Sequence, residues 1–305
     1  MQARIAIQPL DLQIQMNVIE LLALAAIWGA SFLFVRVAAP ELGPIPLIAL
    51  RVTIAALLLA PVLRSASARS QFRSKVWPLF VVGVTNSAVP FCLLAYSTLY
   101  VNAGVDSILN ATTPLWAALI AAAGFRGSMR LVQAVGLLLG LAGVVVLAWD
   151  TFIGGGSALP LAIGAALLAT LFYGFAVNYS KRHLAGVNPF VVAFGSQVSA
   201  SIVLVPLALF FWPKQPVAPS TWACVAALGV VCTGFAYVLF FRLVERVGAT
   251  YAASVTFLIP IFGMIWGATF LGEAITPVMI VGCAIVLFGT ALASGKLSWM
   301  LARSA

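Results

Sequence analysis

The stretch NATTPLWAALIAAAG at 110–124 has a counterpart 146 positions later, TFLIPIFGMIWGATF at 256–270, and each is an apolar run interrupted by a proline. Further residues superpose at nearly the same spacing: Gly136 on Gly282, Gly143 on Gly289, Pro44 on Pro189, and Trp28-Gly29 on Tyr173-Gly174. Matches at one nearly constant spacing indicate an internal duplication. The chain is therefore one pattern written twice.

The composition places the chain in a membrane. Hydrophobic residues make up 63% of the 305 positions and charged residues only 8%, whereas a soluble domain carries about 25% charged residues. Each copy contains five apolar runs of the length that crosses a bilayer as a helix, roughly 20 residues. The sequence predicts an all-α integral membrane protein with ten transmembrane helices, at 18–38, 44–63, 76–98, 103–124, 130–149, 159–180, 188–211, 220–242, 250–271 and 276–294.

The number of runs in each copy determines how the copies are oriented. Five is odd, so the second copy must begin on the opposite side of the membrane, and the two five-helix repeats are inverted. We expect the first repeat at 1–153 and the second at 157–305, joined by the triple glycine 154–156 as a linker. Secondary transporters built in this way bind their substrate near the middle of the membrane, where the repeats meet.

The net charge of +9 reflects orientation in the bilayer and not a nucleic-acid partner. Of the 16 basic residues, all but Arg36, Arg51 and Lys214 fall in links on one side of the ten-helix arrangement. The opposite side holds two of these three with four acids: Arg36, Lys214, Glu41, Asp106, Asp150 and Glu273. Because cytoplasmic links carry the excess of Lys and Arg, we expect a bacterial inner-membrane protein with both termini in the cytoplasm.

The residues that the sequence lacks exclude several classes of protein. No Asp, Glu or His lies near the centre of any predicted helix, and the single histidine, His183, lies in a link. We therefore expect no enzyme active site, no metal and no cofactor, and we interpret the four cysteines as buried small hydrophobic residues. No GxxxxGK[ST] phosphate loop is present, which excludes direct use of ATP. Facilitated diffusion fits best, with coupling through the peripheral Glu20 or Asp106 as an alternative.

Uncharged polar residues inside the predicted helices are candidates for substrate contact, because polar groups in hydrocarbon are costly unless they face a cavity or another helix. These candidates are Asn86 and Ser87 in the third helix, Asn110 and Thr113 in the fourth, and Thr256 in the ninth. Pro114 and Pro260 interrupt the fourth and ninth helices at equivalent positions, which points to a transport site. Hydrogen bonds between helices are the alternative role of these side chains.

Aromatic residues supply the second group of candidates. Trp28 and Tyr173 occupy equivalent positions in the two copies, and each precedes a glycine that lets another helix approach. Tyr96, Phe235 and Phe257 complete the group. A cavity lined by such rings, with few polar groups, suits an amphipathic and partly apolar solute.

Arg51 is the one basic residue predicted well inside a helix. A central arginine costs roughly 2.5 to 3.5 kcal/mol on insertion scales. Three roles are open: the side chain reaches outward to the interface, pairs with Asp106 or Glu41, or binds a substrate carboxylate.

Several motifs in order resemble a known superfamily. They are Trp28-Gly29-Ala30-Ser31-Phe32, Leu50-Arg51, Pro260 followed by Leu271-Gly272-Glu273, and Gly282 with Gly289. Over nearly the whole chain these resemble the drug/metabolite transporter superfamily, in its ten-helix, EamA-type branch of duplicated bacterial exporters. In the first copy Arg126-Gly127 stands where the second has Gly272-Glu273, so the acidic signature occurs once. The resemblance implies export of amino acids or related metabolites, in a branch that includes aromatic amino-acid exporters, and it adds Ser31 to the candidate site.

These observations predict a secondary transporter, not an enzyme. We expect it to export neutral, amino-acid-like metabolites, including aromatic or large neutral ones, by alternating access through a central cavity. A carrier for phosphorylated or nucleotide-linked solutes is the alternative. The expected partners are the small-molecule substrate and the lipid bilayer, and the chain is expected to be a monomer or a weak homodimer.

Overall fold

The computed structural model of the protein describes residues 9–124, 130–153 and 158–295. Within these residues the regular structure is helical throughout, which confirms the expected all-α membrane fold. The predicted linker at 154–156 lies outside the described residues, as do the basic residues Arg4, Arg126, Lys296 and Arg303.

Ten apolar helical segments make up the described part of the chain. Nine of them are long and apolar enough to cross a membrane, and the last is shorter, at 17 residues. In chain order, segments 1 to 10 are Gln15–Leu42, Pro44–Arg64, Val76–Ser97, Ala103–Gly124, Leu131–Trp149, Leu159–His183, Pro189–Phe210, Pro219–Val247, Ala249–Leu271 and Pro277–Ala293. Each overlaps one predicted helix over most of its length.

Segment 2 ends in the 3₁₀ helix Ala60–Arg64, and four further segments depart from continuous α-helix in their interior. Segments 3 and 8 contain π-helical stretches, at Val84–Ala88 and Ala227–Phe235. Segments 4 and 9 are split, into Ala103–Asn110 and Thr113–Gly124 and into Ala249–Ala252 and Val255–Leu271. Because 3 corresponds to 8 and 4 to 9 in the duplication, the irregularities occur in equivalent segments. A separate polar helix, Ala66–Ser74, follows segment 2.

Prolines, polar caps and glycines define the segment ends. Segments 2, 6, 7, 8 and 10 have a proline in the first two helical positions, where its missing N–H breaks no helical hydrogen bond. Asn102 and Thr276 each accept a hydrogen bond from the amide three residues later, at 2.9 and 3.1 Å, which satisfies a free donor of the first turn. Gly248 and Gly272 adopt φ values of 87° and 65°, which residues with a side chain rarely reach.

The packing of the segments follows the duplication. Segments 1 to 5 correspond to segments 6 to 10, so contacts between the copies are expected in matched pairs. Segment 1 packs on segment 9, and its counterpart, segment 6, packs on segment 4. In the same way, the contact of segment 2 with segment 8 matches that of segment 7 with segment 3. The contact of segment 3 with segment 6 matches that of segment 8 with segment 1. The other main contacts join a segment to its own counterpart, namely 2 to 7, 4 to 9 and 5 to 10. The two copies therefore interlock around a common centre.

Gly29 and Gly174 show the matched packing in atomic detail. A Cβ atom built on Gly29 lies 2.6 Å from the Cβ of Phe262, and one built on Gly174 lies 2.9 Å from the Cβ of Trp116. Trp116 is the counterpart of Phe262 at the spacing of 146. Both crossings are too close for any side chain larger than hydrogen. Trp28 and Tyr173 directly precede these glycines. The crossings therefore bring Trp28 close to segment 9 and Tyr173 close to segment 4.

Candidate substrate cavity

A cavity of about 390 Å³ lies where the two copies meet. Its wall is built from segments 1, 2, 3, 4, 6, 8 and 9, so both copies contribute. Seven of the predicted contact residues line it: Trp28, Ser31, Asn86, Asn110, Thr113, Tyr173 and Thr256. The volume falls within the range of small-molecule sites, about 300 to 1,000 Å³.

The break in segment 4 places Asn110 and Thr113 at the cavity. Pro114 has no N–H to donate to the Asn110 carbonyl four residues earlier. The Thr113 hydroxyl donates to that carbonyl instead, at 2.9 Å. The proline is therefore tolerated inside the membrane because a local side chain satisfies the freed acceptor.

Segment 9 differs from the expectation that its proline interrupts the helix. The break lies at 253–254, and Pro260 is inside the continuous helix Val255–Leu271. At the break the Thr256 hydroxyl donates to the Ala253 carbonyl, at 2.9 Å. Both Ala253 and Thr256 line the cavity, so the interruption faces the site although it precedes the proline.

The π-helical stretches bring side chains of segments 3 and 8 to the cavity. The Val89 amide donates to the Val84 carbonyl, and the Thr233 hydroxyl donates to the Leu228 carbonyl at 2.8 Å, in both cases five residues back. Such wide turns are frequent at functional sites. Asn86 and Thr233 lie in these stretches and line the cavity.

Aromatic rings form much of the wall. The ring centroids of Trp28 and Phe240 are 5.5 Å apart, and those of Phe91 and Tyr173 are 6.4 Å apart in an edge-to-face arrangement. Tyr237 also lines the cavity. These rings offer large apolar surfaces with a few polar ends, which suits an amphipathic solute.

Arg51 is a buried guanidinium in this wall. The residue is 7% exposed and lines the cavity, so its side chain does not reach outward to the interface. In the described part of the chain no carboxylate oxygen lies within 4.0 Å of it, so pairing with Asp106 or Glu41 is wrong. Glu41 instead accepts hydrogen bonds from the Ala218 amide and the Thr221 hydroxyl, at 2.9 and 2.8 Å.

Asp106 corrects the expectation that the acids are peripheral. It has no exposed surface and lines the cavity. Its polar neighbour among the described residues is the buried Ser97 hydroxyl, which makes no hydrogen bond of normal geometry with it. Asp106 is buried because segment 4 begins inside the protein, where Ala103 and the rest of the first turn are buried. The sequence favours facilitated diffusion because no acid lies near the centre of a predicted helix. The cavity nevertheless contains the carboxylate of Asp106.

Four predicted contact residues, Ser87, Tyr96, Phe235 and Phe257, are not among the residues that line the cavity. Ser87 is fully buried, and its hydroxyl accepts a hydrogen bond from the side-chain Nε2 of Gln197 at 3.0 Å. This bond joins segments 3 and 7. Phe235 is 46% exposed, and Tyr96 packs against a neighbouring tyrosine. Ser87 and Phe235 lie in the π-helical stretches, where side-chain directions no longer follow the α-helical period.

Sequence reasoning missed Thr98, Asp106, Thr233 and Phe240, which all line the cavity. For Asp106 a signal was available, because an acid inside the apolar run AGVDSILN at 103–110 is a functional candidate by its cost alone. Nothing in the sequence separates the other three from the many hydroxyl and aromatic residues that pack between helices.

Ion pairs join segments near opposite ends of segment 1. Glu20 pairs with Arg246 of segment 8. Arg36 lies 3.7 Å from Glu273, in the link after segment 9, and donates to the Thr98 carbonyl after segment 3. The cavity residues of segment 1 lie between these two contacts.

A duplicated, all-helical membrane fold around a cavity with aromatic, hydroxyl and amide walls defines a membrane transporter. The family model of the EamA-like transporter family matches this chain twice, at residues 16–149 and 160–295. The chain belongs to the EamA-like transporter family, within the drug/metabolite transporter superfamily. Its homologues are transporters and not enzymes.

Similar proteins span the whole fold at low identity. An "Uncharacterized transporter" of Archaeoglobus fulgidus is 23% identical over 86% of this chain and 92% of its own length. The "Uncharacterized transporter YoaV" of Bacillus subtilis is 21% identical over 88% and 93%. A protein named "Probable terminal-alkyne amino-acid exporter" in Streptantibioticus cattleyicolor is 25% identical over 87% and 89%. A solved crystal structure with 20% identity superposes with a TM-score of 0.66, covering 95% of this chain and 99% of that one.

Proposed function

We propose that this protein is a secondary transporter that exports amino acids or related neutral metabolites, including aromatic or large neutral ones, by alternating access. The observation that carries the proposal is the cavity itself, which is enclosed by both copies and lined by rings, hydroxyls and amides. The proposed setting is a bacterial inner membrane with both termini in the cytoplasm, as a monomer or weak homodimer.

The matched packing of the two copies supports alternating access. The main contacts between the copies have counterparts in the other copy, and five crossings per copy turn the copies in opposite directions. A rearrangement that opens the cavity on one side then has an equivalent that opens it on the other.

The chemistry of the wall supports an amino-acid-like cargo. Rings such as Trp28 and Tyr173 can pack against an apolar substituent, while Asn86 and Asn110 offer amide donors and acceptors. The similar protein in Streptantibioticus cattleyicolor is named as an amino-acid exporter, which favours the same class of cargo here.

The alternative cargo, a phosphorylated or nucleotide-linked solute, fits the wall less well. Among the described residues that line the cavity, Arg51 is the single basic one. A phosphate group carries nearly two negative charges near neutral pH, and one guanidinium leaves much of that charge unpaired. A carboxylate matches a single guanidinium in both charge and shape.

Counterflow in proteoliposomes tests the proposal. Vesicles loaded with unlabelled phenylalanine should accumulate radiolabelled phenylalanine with saturable kinetics, and other large neutral amino acids should compete. Repeating the measurement with and without a pH gradient separates facilitated diffusion from proton coupling, which the position of Asp106 makes a necessary comparison.

Matched tryptophan variants show whether the flux passes through the cavity. Trp28→Ala should weaken phenylalanine uptake, while Trp77→Ala, at a position 69% exposed, should leave it unchanged. If no amino acid competes while glucose 6-phosphate does, the cargo assignment is wrong. If neither produces counterflow, the transport activity itself is contradicted.

A further inference from the structure

Arg51 is held rigidly from two sides. Its Nε donates a hydrogen bond of 2.9 Å to the hydroxyl of Thr233, and the guanidinium carbon lies 4.1 Å from the centroid of the Phe91 ring. Thr233 belongs to segment 8, in the second copy, while Arg51 and Phe91 belong to the first. Contacts of this kind fix both the position and the plane of the guanidinium.

The hydrogen bonds of Arg51 are incomplete. Nε is satisfied by Thr233, but no described group accepts a hydrogen bond from the two terminal nitrogens. The Thr233 hydroxyl is itself neutral and donates onward to the Leu228 carbonyl, at 2.8 Å. The two terminal nitrogens of a buried cation, each with two N–H donors, are therefore left for a group that the cavity admits.

Arg51 also makes no ion pair with any described carboxylate. Glu20 and Glu273 are engaged with Arg246 and Arg36, and Glu41 accepts hydrogen bonds at the start of segment 8. Asp106 lines the same cavity but forms no ion pair with Arg51, and its polar neighbour is the buried hydroxyl of Ser97. Arg51 is therefore a buried cation with no ion-pair partner among the described residues, and a carboxylate in the cavity would supply that partner.

We propose that Arg51 binds the carboxylate of the transported amino acid through its two terminal nitrogens. Two parallel N–H donors match the two oxygens of a carboxylate. The substituent of the amino acid then lies against the aromatic wall of Trp28, Tyr173 and Phe240. The assignment rests on the proposed function and names the group by which its substrates are recognised.

Analogues of phenylalanine test the assignment on the unaltered protein. 3-Phenylpropionate retains the carboxylate and lacks the amine, and phenethylamine retains the amine and lacks the carboxylate. In competition with radiolabelled phenylalanine, phenethylamine should bind about 10- to 100-fold more weakly than phenylalanine, the loss typical of a hydrogen bond to a charged group. 3-Phenylpropionate should keep more of the affinity than phenethylamine does. Equal competition by phenethylamine and phenylalanine overturns the assignment.

Arginine variants give the second test. Arg51→Gln should raise the apparent KM for phenylalanine about 10- to 100-fold and abolish the preference for carboxylates over phenethylamine, while Arg51→Lys should retain part of that preference. Arg64→Gln is the matched control, because Arg64 is exposed at the end of the same segment. An Arg51→Gln protein that folds and still prefers carboxylates contradicts the assignment.

Thermal unfolding in detergent separates this assignment from the transport proposal. 3-Phenylpropionate should raise the melting temperature of the unaltered protein more than phenethylamine does, and Arg51→Gln should remove that difference. This readout needs no flux, so it applies even if phenylalanine counterflow fails and the proposed function falls. Active phenylalanine counterflow without any preference for carboxylates contradicts the Arg51 assignment alone.

Discussion

Glu273 accepts hydrogen bonds from the backbone amide of Ala103 through both carboxylate oxygens, at 3.1 and 2.9 Å. Ala103 is the first residue of segment 4, where backbone N–H groups are free and the helix dipole favours a negative charge. Arg36 lies 3.7 Å from the same carboxylate. The link after segment 9 is thus joined to the start of segment 4. Segment 4 is the counterpart of segment 9 in the other copy.

Replacing Glu273 should therefore loosen this junction. Glu273→Gln keeps one acceptor but loses the charge, and we expect the free energy of unfolding to fall by about 1–3 kcal/mol. Thermal unfolding in detergent measures the change. Glu41→Gln is the control, because Glu41 binds the start of segment 8 in a similar way but is exposed. Equal losses in the two variants would show that burial of the Glu273 contact contributes nothing.

Gly174 permits the close crossing of segments 6 and 4. In Gly174→Ala the added Cβ would meet the Ala117 backbone nitrogen at 2.7 Å, so the helices must separate. We expect a destabilisation of about 1–3 kcal/mol and weaker phenylalanine uptake, because Tyr173 would move with the helix. Gly164→Ala, in the same segment with open space around it, should be neutral or stabilising by up to about 1 kcal/mol. If both variants behave alike, the crossing does not depend on glycine.

Thr233 is expected to act as a positioning residue for Arg51. Thr233→Val keeps the shape and removes the acceptor for Nε, so the apparent KM for phenylalanine should rise about 3- to 10-fold. Thr233→Ser should restore the unaltered value. The distinguishing readout is selectivity: the preference for phenylalanine over phenethylamine should narrow in the valine variant. A lower melting temperature with unchanged selectivity would indicate a structural role only.

The buried carboxyl group of Asp106 lowers the stability of the protein by a desolvation cost that a neutral side chain avoids. Asp106→Asn should lose roughly 0.3–1 kcal/mol of interaction with the helix dipole but avoid the larger cost of burying a carboxylate that forms no ion pair. We therefore expect a melting temperature equal to or above that of the unaltered protein. Asp106→Ala serves as the comparison, because it also removes side-chain volume and should be less stable than the asparagine variant. A clear loss of stability in Asp106→Asn would mean that the carboxylate is paired in solution.

The fold was predictable because its determinants are repeated along the chain. Each crossing leaves an apolar run of membrane length. Gly29 and Gly174 align at a spacing of 145, and the residues that they contact, Phe262 and Trp116, align at the nearly equal spacing of 146. Polar groups beside a proline were also informative. Asn110 and Thr113 are polar residues beside Pro114 inside an apolar run, which predicts a place at the transport site, and the structure places both at the cavity.

The rest of the site depends on departures from regular geometry. In segment 3 the α-helical period points Asn86 and Ser87 about 100° apart but does not determine which of them faces the cavity. In the structure Asn86 lines the cavity and Ser87 joins segment 7. The depth of Asp106 likewise depends on how far segment 4 sinks into the bundle, which is set by contacts with segments 9 and 6. Neither is encoded in a local pattern of residues.

The π-helical stretches at Val84–Ala88 and Ala227–Phe235 each accommodate a surplus residue in their helix. Shifting that surplus by one position along the chain exchanges one backbone hydrogen bond for another of the same kind. Each such step swings a single side chain to a new direction while the rest of the helix keeps its register. The side chain that segment 3 or 8 presents to a bound molecule therefore depends on where the surplus residue lies.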